Sequence, residues 1–276
     1  MSADCGKRIR LGRIIRPSTG RSVCVAFDHG LDDGPMPGNI DSRATMARLV
    51  EGGADGVLVS PGIARLCADQ FSGRDAPALI LRLDWTNMFR RELGYREGIN
   101  RLIADVEDGV RMGADAVLTF MFVGYEDPSV EADEIAKNAS VSRACERLGM
   151  PHIIEPMAQG ALAEGRGLDA ELIRLHVRMA AELGADAIKT DYSGSADTYG
   201  PVIESCHLPV LIAGGPKAKT IRGSLEMVEG AIKAGASGVV MGRNIIQADD
   251  PAKMLAAIKT IVHDGLGTDE ALKHLG

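Results

Sequence analysis

One phrase recurs four times along this chain, and it narrows the possible folds more than any other feature. GGADGVLV begins at Gly52, MGADAVL at Met112, LGADAIKT at Leu183 and AGASGVVM at Ala234. Each copy follows an amphipathic stretch and leads into a short apolar run. The pattern reads as a helix, then Gly at the C′ position, then a strand, because only Gly enters the left-handed turn without a Cβ penalty. Other apolar runs alternate with the four copies: SVCVAFD from Ser22, ALILRLD from Ala78, PHIIEP from Pro151 and PVLIAGG from Pro209. Eight strands are thus predicted near 22–28, 56–60, 78–84, 115–121, 151–155, 186–191, 209–213 and 237–241. Helical stretches fill the gaps, among them 43–52, 97–112, 130–148, 169–183, 222–234 and 252–263.

Strict β-α alternation implies a parallel sheet. Eight units with a repeated half-unit favour closure into a single α/β (β/α)8 TIM barrel over an open sheet. The 276 residues suit one barrel domain over 1–276, with 1–21 as an N-terminal extension packing on it. Hydrophobic residues make up 45% and aromatics only 4%, so Val, Ile, Leu, Ala and Gly must build the core, as in strands buried on both faces. No GxGxxG follows the first strand, which weakens a dinucleotide-binding alternative.

A net charge of −7 argues against a general nucleic-acid binder, which needs cations to neutralise phosphates. No apolar run of about 18 residues is present, and the basic N-terminus lacks a secretory apolar core. The five cysteines are scattered and form no CxxC pair, so they read as free thiols of a cytoplasmic protein rather than a zinc site or disulfide framework.

In such a barrel the chemistry belongs at the C-terminal strand ends. Lys189 is the most informative residue there. It lies inside the run ADAIKTD, where a charged ammonium is costly to bury. Alternation puts Ala187, Lys189 and Asp191 on one face and Ile188 on the other, so Lys189 points into the barrel. A desolvated lysine is expected to have a lowered pKa and to act as a nucleophile. The bland alternative is a buried salt bridge with Asp28 or Glu155. Asp28 shares the inward face of its strand with Cys24 and Ala26 and suits a general base, or a group that orients Lys189. His29 points the other way and reads as a hydrogen-bonded scaffold histidine. Ser60 ends the second strand. The turns Gly214-Gly215-Pro216-Lys217 and Gly242-Arg243 follow the last two strands, where barrels commonly cradle phosphate. Arg243 and Lys217 could add charge-assisted bonds.

At these residues the chain resembles the archaeal-type class I fructose-bisphosphate aldolase family, which includes aminodideoxyheptulosonate synthase and autoinducer-2 phosphate thiolase. The matching pieces are VAFDHG at 25–30, EGGADGVLVSPGIAR at 51–65, RMGADAV at 111–117, AELGADAIKTDYSG at 181–194, PVLIAGGPK at 209–217 and GASGVVMGRNIIQADDP at 235–251. The resemblance covers nearly the whole chain. It implies Lys189 as the Schiff-base lysine, Asp28 as the acid/base aspartate, and Gly214, Gly215, Gly242 and Arg243 as the phosphate-binding turns.

Aldolase and synthase members carry a Tyr-Pro-Arg-Gly turn after the fifth strand, whose tyrosine donates a proton. Here GMPHIIEPMAQG puts Met157 or a near neighbour there, as in the thiolase branch, which also lacks the tyrosine. The Arg82 position looks closer to that branch too. Glu155, two residues before Met157 and on the same face, either supplies the proton transfer or pairs with Lys189.

The expectation is a class I aldolase acting on a small phosphorylated keto compound. A thiolase-like acyl transfer through the same lysine is the alternative, and a non-catalytic phosphosugar-binding barrel a remote one. No cofactor and no metal are expected, since no His or carboxylate pair has metal-ligand spacing. The expected partner is the small-molecule substrate, with no nucleic acid and no membrane. The resemblance also implies a homo-oligomer.

Overall fold

Eight parallel strands close on themselves in the computed structural model, which describes residues 3–90, 93, 95 and 97–276. Ten strands are assigned among the described residues: β1 (Ser22–Ala26), β2 (Gly56–Val59), β3 (Ala78–Arg82), β4 (Asp84–Thr86), β5 (Asn100–Leu102), β6 (Ala116–Val123), β7 (His152–Ala158), β8 (Ala187–Thr190), β9 (Val210–Ala213) and β10 (Gly238–Met241). The barrel runs β1-β10-β9-β8-β7-β6-β3-β2, and β4 and β5 form a separate antiparallel pair. The helices are α1 (Ala3–Ile14), α2 (His29–Asp32), α3 (Ser42–Glu51), α4 (Pro61–Leu66), α5 (Val106–Arg111), α6 (Pro128–Leu148), α7 (Ala170–Glu182), α8 (Ala196–Glu204), α9 (Ile221–Lys233), α10 (Arg243–Ile246), α11 (Pro251–Val262) and α12 (Thr268–Leu272). No helix among the described residues is long and apolar enough to cross a membrane.

The four echoes are the helix-to-strand turns they were read to be. Gly53, Gly113, Gly184 and Gly235 take φ of +67°, +76°, +92° and +101°, each just past the C-cap of α3, α5, α7 or α9. The aspartate of the phrase has a structural task. Asp55, Asp115 and Asp186 each accept the backbone N–H of a residue in the adjoining strand: Val23 at 2.7 Å, Leu79 at 3.0 Å and His152 at 2.9 Å. The fourth copy has Ser237, whose backbone carbonyl accepts the Ser22 N–H at 2.9 Å instead. Cations from α1 and the residues after it reach the same aspartates. Arg16 is 2.6 Å from Asp55, Arg13 is 2.8 Å from Asp115 and Lys7 is 3.0 Å from Asp186. The N-terminal segment thereby lies along the strand-start end of the barrel, opposite the strand ends that carry the site.

Alternation sorts the strands' side chains into two cores. Cys24, Ala26, Leu58, Ile80, Leu118, Ile153, Ala187, Leu211 and Val240 fill the barrel interior. Val25, Val57, Leu81, Val117, Ile154, Ile188, Ile212 and Val239 pack outward against the helices. Fully burying each such aliphatic side chain is worth about 1.5–3 kcal/mol. The small inner residues of β1, β8 and β10 leave room above them, and the site is built there.

Two expected boundaries move. The helix predicted over 97–112 is confined to α5, because Asn100–Leu102 pairs antiparallel with Asp84–Thr86. A capping box starts the helix late: Asp105 accepts from the Asp108 N–H at 2.7 Å, and Asp108 accepts from the Asp105 N–H at 3.0 Å. The strand expected to end at 155 continues to Ala158, with Phe122 opposite Met157 and Val123 opposite Ala158. Met157 is therefore a strand residue and not part of a following turn.

Candidate active site

Going one inward position beyond the apolar floor on β1, β3, β7 and β8 reaches Asp28, Arg82, Glu155 and Lys189. All four are buried. They form one chain of alternating charge. Lys189 Nζ is 2.6 Å from Glu155 Oε1, Arg82 Nη2 donates to Glu155 Oε2 at 2.7 Å, and Arg82 Nε donates to Asp28 Oδ2 at 2.8 Å. The lysine is thus inward-facing, as alternation implied, and ion-paired. Of the two carboxylates considered as its partner, Glu155 takes the contact and Asp28 is held by Arg82.

Arg82 is visible at the end of the third strand, but the strand-end reading assigns it no role there. Its guanidinium Cζ lies 3.7 Å from the Phe120 ring centroid, and Nη1 is 3.5 Å from Asp84 Oδ1. Burial works against its charge, but the carboxylates of Asp28, Glu155, Asp84 and Asp32 more than offset that and raise its pKa further. A second layer backs the first. Lys137 Nζ contacts Asp84 Oδ2 at 2.9 Å, Glu134 Oε2 at 3.0 Å and the Phe120 carbonyl at 2.8 Å. Asn100 Nδ2 donates to Asp84 Oδ2 at 3.1 Å, so the β4–β5 pair braces the site from outside. One signal could have found Arg82: like Lys189, it is a lone cation at an inward position of an apolar strand.

The acids around this chain differ in character. Burial alone would push Asp28 up, but Arg82 and Lys189 beside it hold its carboxyl below the usual value. Asp191 is pushed up to about 6, by burial first and by Glu155 second, with Lys189 opposing. Asp32, buried in α2, is pushed up to about 7 by burial, with Arg82 opposing and Asp28 adding to the rise.

A raised carboxyl pKa means that the folded state holds a proton which the unfolded chain has released. Its stabilising effect is complete below about pH 4 and disappears as pH climbs through 7. Asp32→Asn is accordingly expected to raise the Tm by several degrees at pH 8, with the gain shrinking towards pH 4. Thermal melts across that range check it; a Tm gain that does not change with pH contradicts it.

No tyrosine reaches Lys189 among the described residues. Tyr125 packs with Phe120, Phe122 and Met157, but its hydroxyl feels Glu134, Glu97 and Glu131 rather than the lysine. Tyr192 turns its hydroxyl to α9, where a Cβ built on Gly230 would meet it at 2.4 Å. Tyr199 is fully buried edge-on to Tyr192, and Tyr95 is exposed.

The two glycine turns are joined by a residue not singled out beforehand. Asn244 Nδ2 donates to the Gly214 carbonyl at 2.8 Å, and its Oδ1 accepts the Ala218 N–H at 2.7 Å. Gly215 has φ +60°. At Gly242 a Cβ would lie 2.1 Å from His29 Cε1 and 2.7 Å from the Ala26 carbonyl, so the histidine ring occupies the space that glycine leaves. This corrects the expectation of a hydrogen-bonded scaffold histidine, because His29 Nδ1 is buried without a hydrogen-bond partner. Burial lowers the imidazole pKa, with Asp28 opposing and Lys189 and Arg243 adding to the fall. Arg243 is half-buried, and its Nε has no partner within the protein. Lys217 instead donates to the Gln247 carbonyl at 2.7 Å, at the end of α10. Ser60 caps α4 by accepting the Ile63 N–H at 3.4 Å.

This geometry can be set beside known proteins. The family model described as DeoC/LacD family aldolase matches residues 22–248. The chain is 35% identical over 271 residues to an uncharacterized aldolase of Saccharolobus solfataricus, covering 98% of this chain and 99% of that one. It is 36% identical over 273 residues to 2-amino-3,7-dideoxy-D-threo-hept-6-ulosonate synthase of Halobacterium salinarum, covering 99% and 97%. It is 35% identical over 269 residues to 3-hydroxy-5-phosphonooxypentane-2,4-dione thiolase of Escherichia coli, covering 97% and 86%. Among solved structures it is similar to an archaeal fructose-1,6-bisphosphate aldolase whose catalytic lysine is covalently bound to the carbinolamine intermediate. That match has a TM-score of 0.82 and 29% identity, over 93% of this chain and 99% of that one.

Proposed function

The chain belongs to the DeoC/LacD aldolase family, and on that premise we propose that it is a class I aldolase which forms a Schiff base through Lys189 on a small phosphorylated ketone. The observation that carries the reading is the buried contact of 2.6 Å between Lys189 Nζ and Glu155 Oε1, at the strand ends of the barrel. An ammonium must lose a proton before it attacks a carbonyl, and Glu155 is the acceptor within reach. Lys189 then adds to the carbonyl carbon. Loss of water from the carbinolamine leaves an iminium. The hydroxyl on the β-carbon gives up its proton and becomes the carbonyl of the departing aldehyde; the bond between the α- and β-carbons breaks, its electron pair forms the enamine C=C bond, and the C=N π pair moves to the nitrogen. Protonation of the enamine carbon and hydrolysis by water free the second product and restore the lysine. We assign the proton movements to Glu155. Asp28, kept ionised by Arg82, orients and balances the charge. With no tyrosine near Lys189, the glutamate is the group best placed to replace one.

The phosphate of the ketone is assigned to the turns at Gly214-Gly215 and Gly242-Arg243. The unpartnered Arg243 Nε supports this, as does Asn244, which ties the two turns together. Lys217 follows the first turn with its ammonium on the Gln247 carbonyl, and Ser60 lies at the end of β2, on the other side of β1 from both turns. The absence of a tyrosine also favours a second reading, in which the same iminium releases an acyl group from a phosphorylated diketone to a thiol. Five unpaired cysteines, four of them buried, suit a reducing cytoplasmic setting, and we retain the homo-oligomeric assembly that the resemblance implies.

The test is solvent deuterium exchange into dihydroxyacetone phosphate at the carbon next to the carbonyl, which an enamine intermediate requires. Exchange that depends on the enzyme is expected. Arg243→Ala is expected to weaken ketone binding roughly 10- to 150-fold, the equivalent of about 1.5–3 kcal/mol for a hydrogen bond to a charged group. Dihydroxyacetone without phosphate should be affected far less. Equal exchange with the two ketones would overturn the phosphate assignment, and a lack of exchange with either would overturn the enamine.

A further inference from the structure

A cavity of about 500 Å³ opens beside Asp28 and Ser60, on the side of β1 away from the Gly242 turn. Its wall is made by Phe27, Leu31, Pro35, Ile40 and Ile63, with glycines between them. Ile40 at the rim is 74% exposed, which is unusual for an isoleucine without a covering partner. The polar groups of the wall are largely committed elsewhere. Asn39 Oδ1 accepts the Met36 N–H at 2.8 Å, its Nδ2 donates to the Gly34 carbonyl at 3.1 Å, and Ser42 donates to the Asn39 carbonyl at 3.2 Å. These bonds hold the loop over the cavity in place before any ligand arrives. The Ser60 hydroxyl remains free to donate. The charged group of the lining is Asp28, held ionised by Arg82, and neither Lys nor Arg lines the cavity among the described residues.

We infer that this cavity holds the second fragment of the reaction, the one released from or added to the Lys189-bound ketone. We further infer that this fragment is an uncharged aldehyde or acyl group with an apolar body. The inference rests on the Schiff-base reading given above. Asp28 links the cavity to the ketone bonded to Lys189 on β8: it lines the cavity, and the Lys189 ammonium acts on its carboxylate. A phosphorylated fragment placed there would bring a dianion against the Asp28 carboxylate with no cation in the wall to meet it. An apolar fragment would cover Ile40 and Ile63 and accept one hydrogen bond from Ser60. The substrate would then carry one phosphate, on the ketone half only.

The experiment measures kcat/KM for addition of dihydroxyacetone phosphate to two aldehydes, butanal and glyceraldehyde 3-phosphate, with borohydride trapping of the ketone run in parallel. Butanal is expected to be preferred by about tenfold or more. Ile40→Lys puts a cation at the exposed rim, where folding tolerates it, and should move the ratio about tenfold towards the phosphorylated aldehyde. A Lys189 adduct together with equal or better use of glyceraldehyde 3-phosphate by the unaltered protein overturns the inference alone. A ratio that Ile40→Lys leaves unmoved overturns the placement of the fragment. Failure to form any adduct at Lys189 overturns the Schiff-base reading and this inference with it.

Discussion

Lys189→Met is expected to reduce turnover by on the order of 10⁴- to 10⁶-fold, the scale seen when a covalent nucleophile is lost. Methionine keeps the length and the apolar stem of the side chain but has no amine to form the iminium. No neighbour can substitute for it. The ammonium of Lys137 is fixed by Asp84, Glu134 and the Phe120 carbonyl, and that of Lys217 is on the Gln247 carbonyl. The fold should survive, because Glu155 keeps its 2.7 Å bond from Arg82 when the lysine is removed. The check pairs steady-state turnover with a thermal melt. Lost activity with a cooperative melt, at a Tm somewhat below the parent's because Glu155 loses one of its two cations, is the predicted result, whereas residual activity within tenfold of the parent would contradict it.

Glu155→Gln addresses the proton. General acid–base groups typically contribute about 10²–10⁴-fold, and a loss of that size is expected here. Glutamine preserves shape but cannot trade a proton. Its amide group would also place an N–H against either Lys189 or Arg82, both of which are donors. Some stability should be lost as well, since weakening one member of a buried charge network leaves its partners less well compensated. The discriminating readout is covalent: on long incubation with ketone and borohydride, Lys189 should still be modified. Unchanged turnover would move the proton transfer to Asp28, Asp191 or water. Loss of both turnover and adduct would make Glu155 a group needed only to build the site.

Much of this architecture could be read from the chain because its signals are local. A Gly forced to positive φ after a helix is visible as Gly-Ala-Asp three times and Gly-Ala-Ser once, and those phrases put four strand starts in place. Alternation correctly turned Asp28 and Lys189 inward, since period-two geometry leaves little freedom once Ile188 or Phe27 must face the helices. What escaped depended on long-range pairing. Arg82 carried the same lone-cation signal as Lys189, but its position between Asp28 and Glu155 appears only when β1, β3 and β7 are brought into one barrel. The helix expected over 97–112 overran because nothing local announces that Asn100–Leu102 will pair with Asp84–Thr86. The Asp105-x-x-Asp108 box that marks the true start was not read from the sequence. Gly242 was read as part of a phosphate-cradling turn from its place after the last strand, but the His29 ring that a Cβ there would strike is a contact between the residues following β1 and β10 that no local pattern records. Lys217 drew notice by its charge and its turn, yet side-chain reach alone could not foresee its bond to Gln247.

The most direct measurement of the central claim is to incubate the protein with dihydroxyacetone phosphate, reduce with borohydride, digest it and map the modified peptide by mass spectrometry. The account predicts one reduced adduct, on Lys189, absent without ketone and absent in Lys189→Met. An adduct on Lys137, Lys217 or any other lysine with Lys189 unmodified, or no adduct at all under conditions where the enzyme turns over, would contradict it.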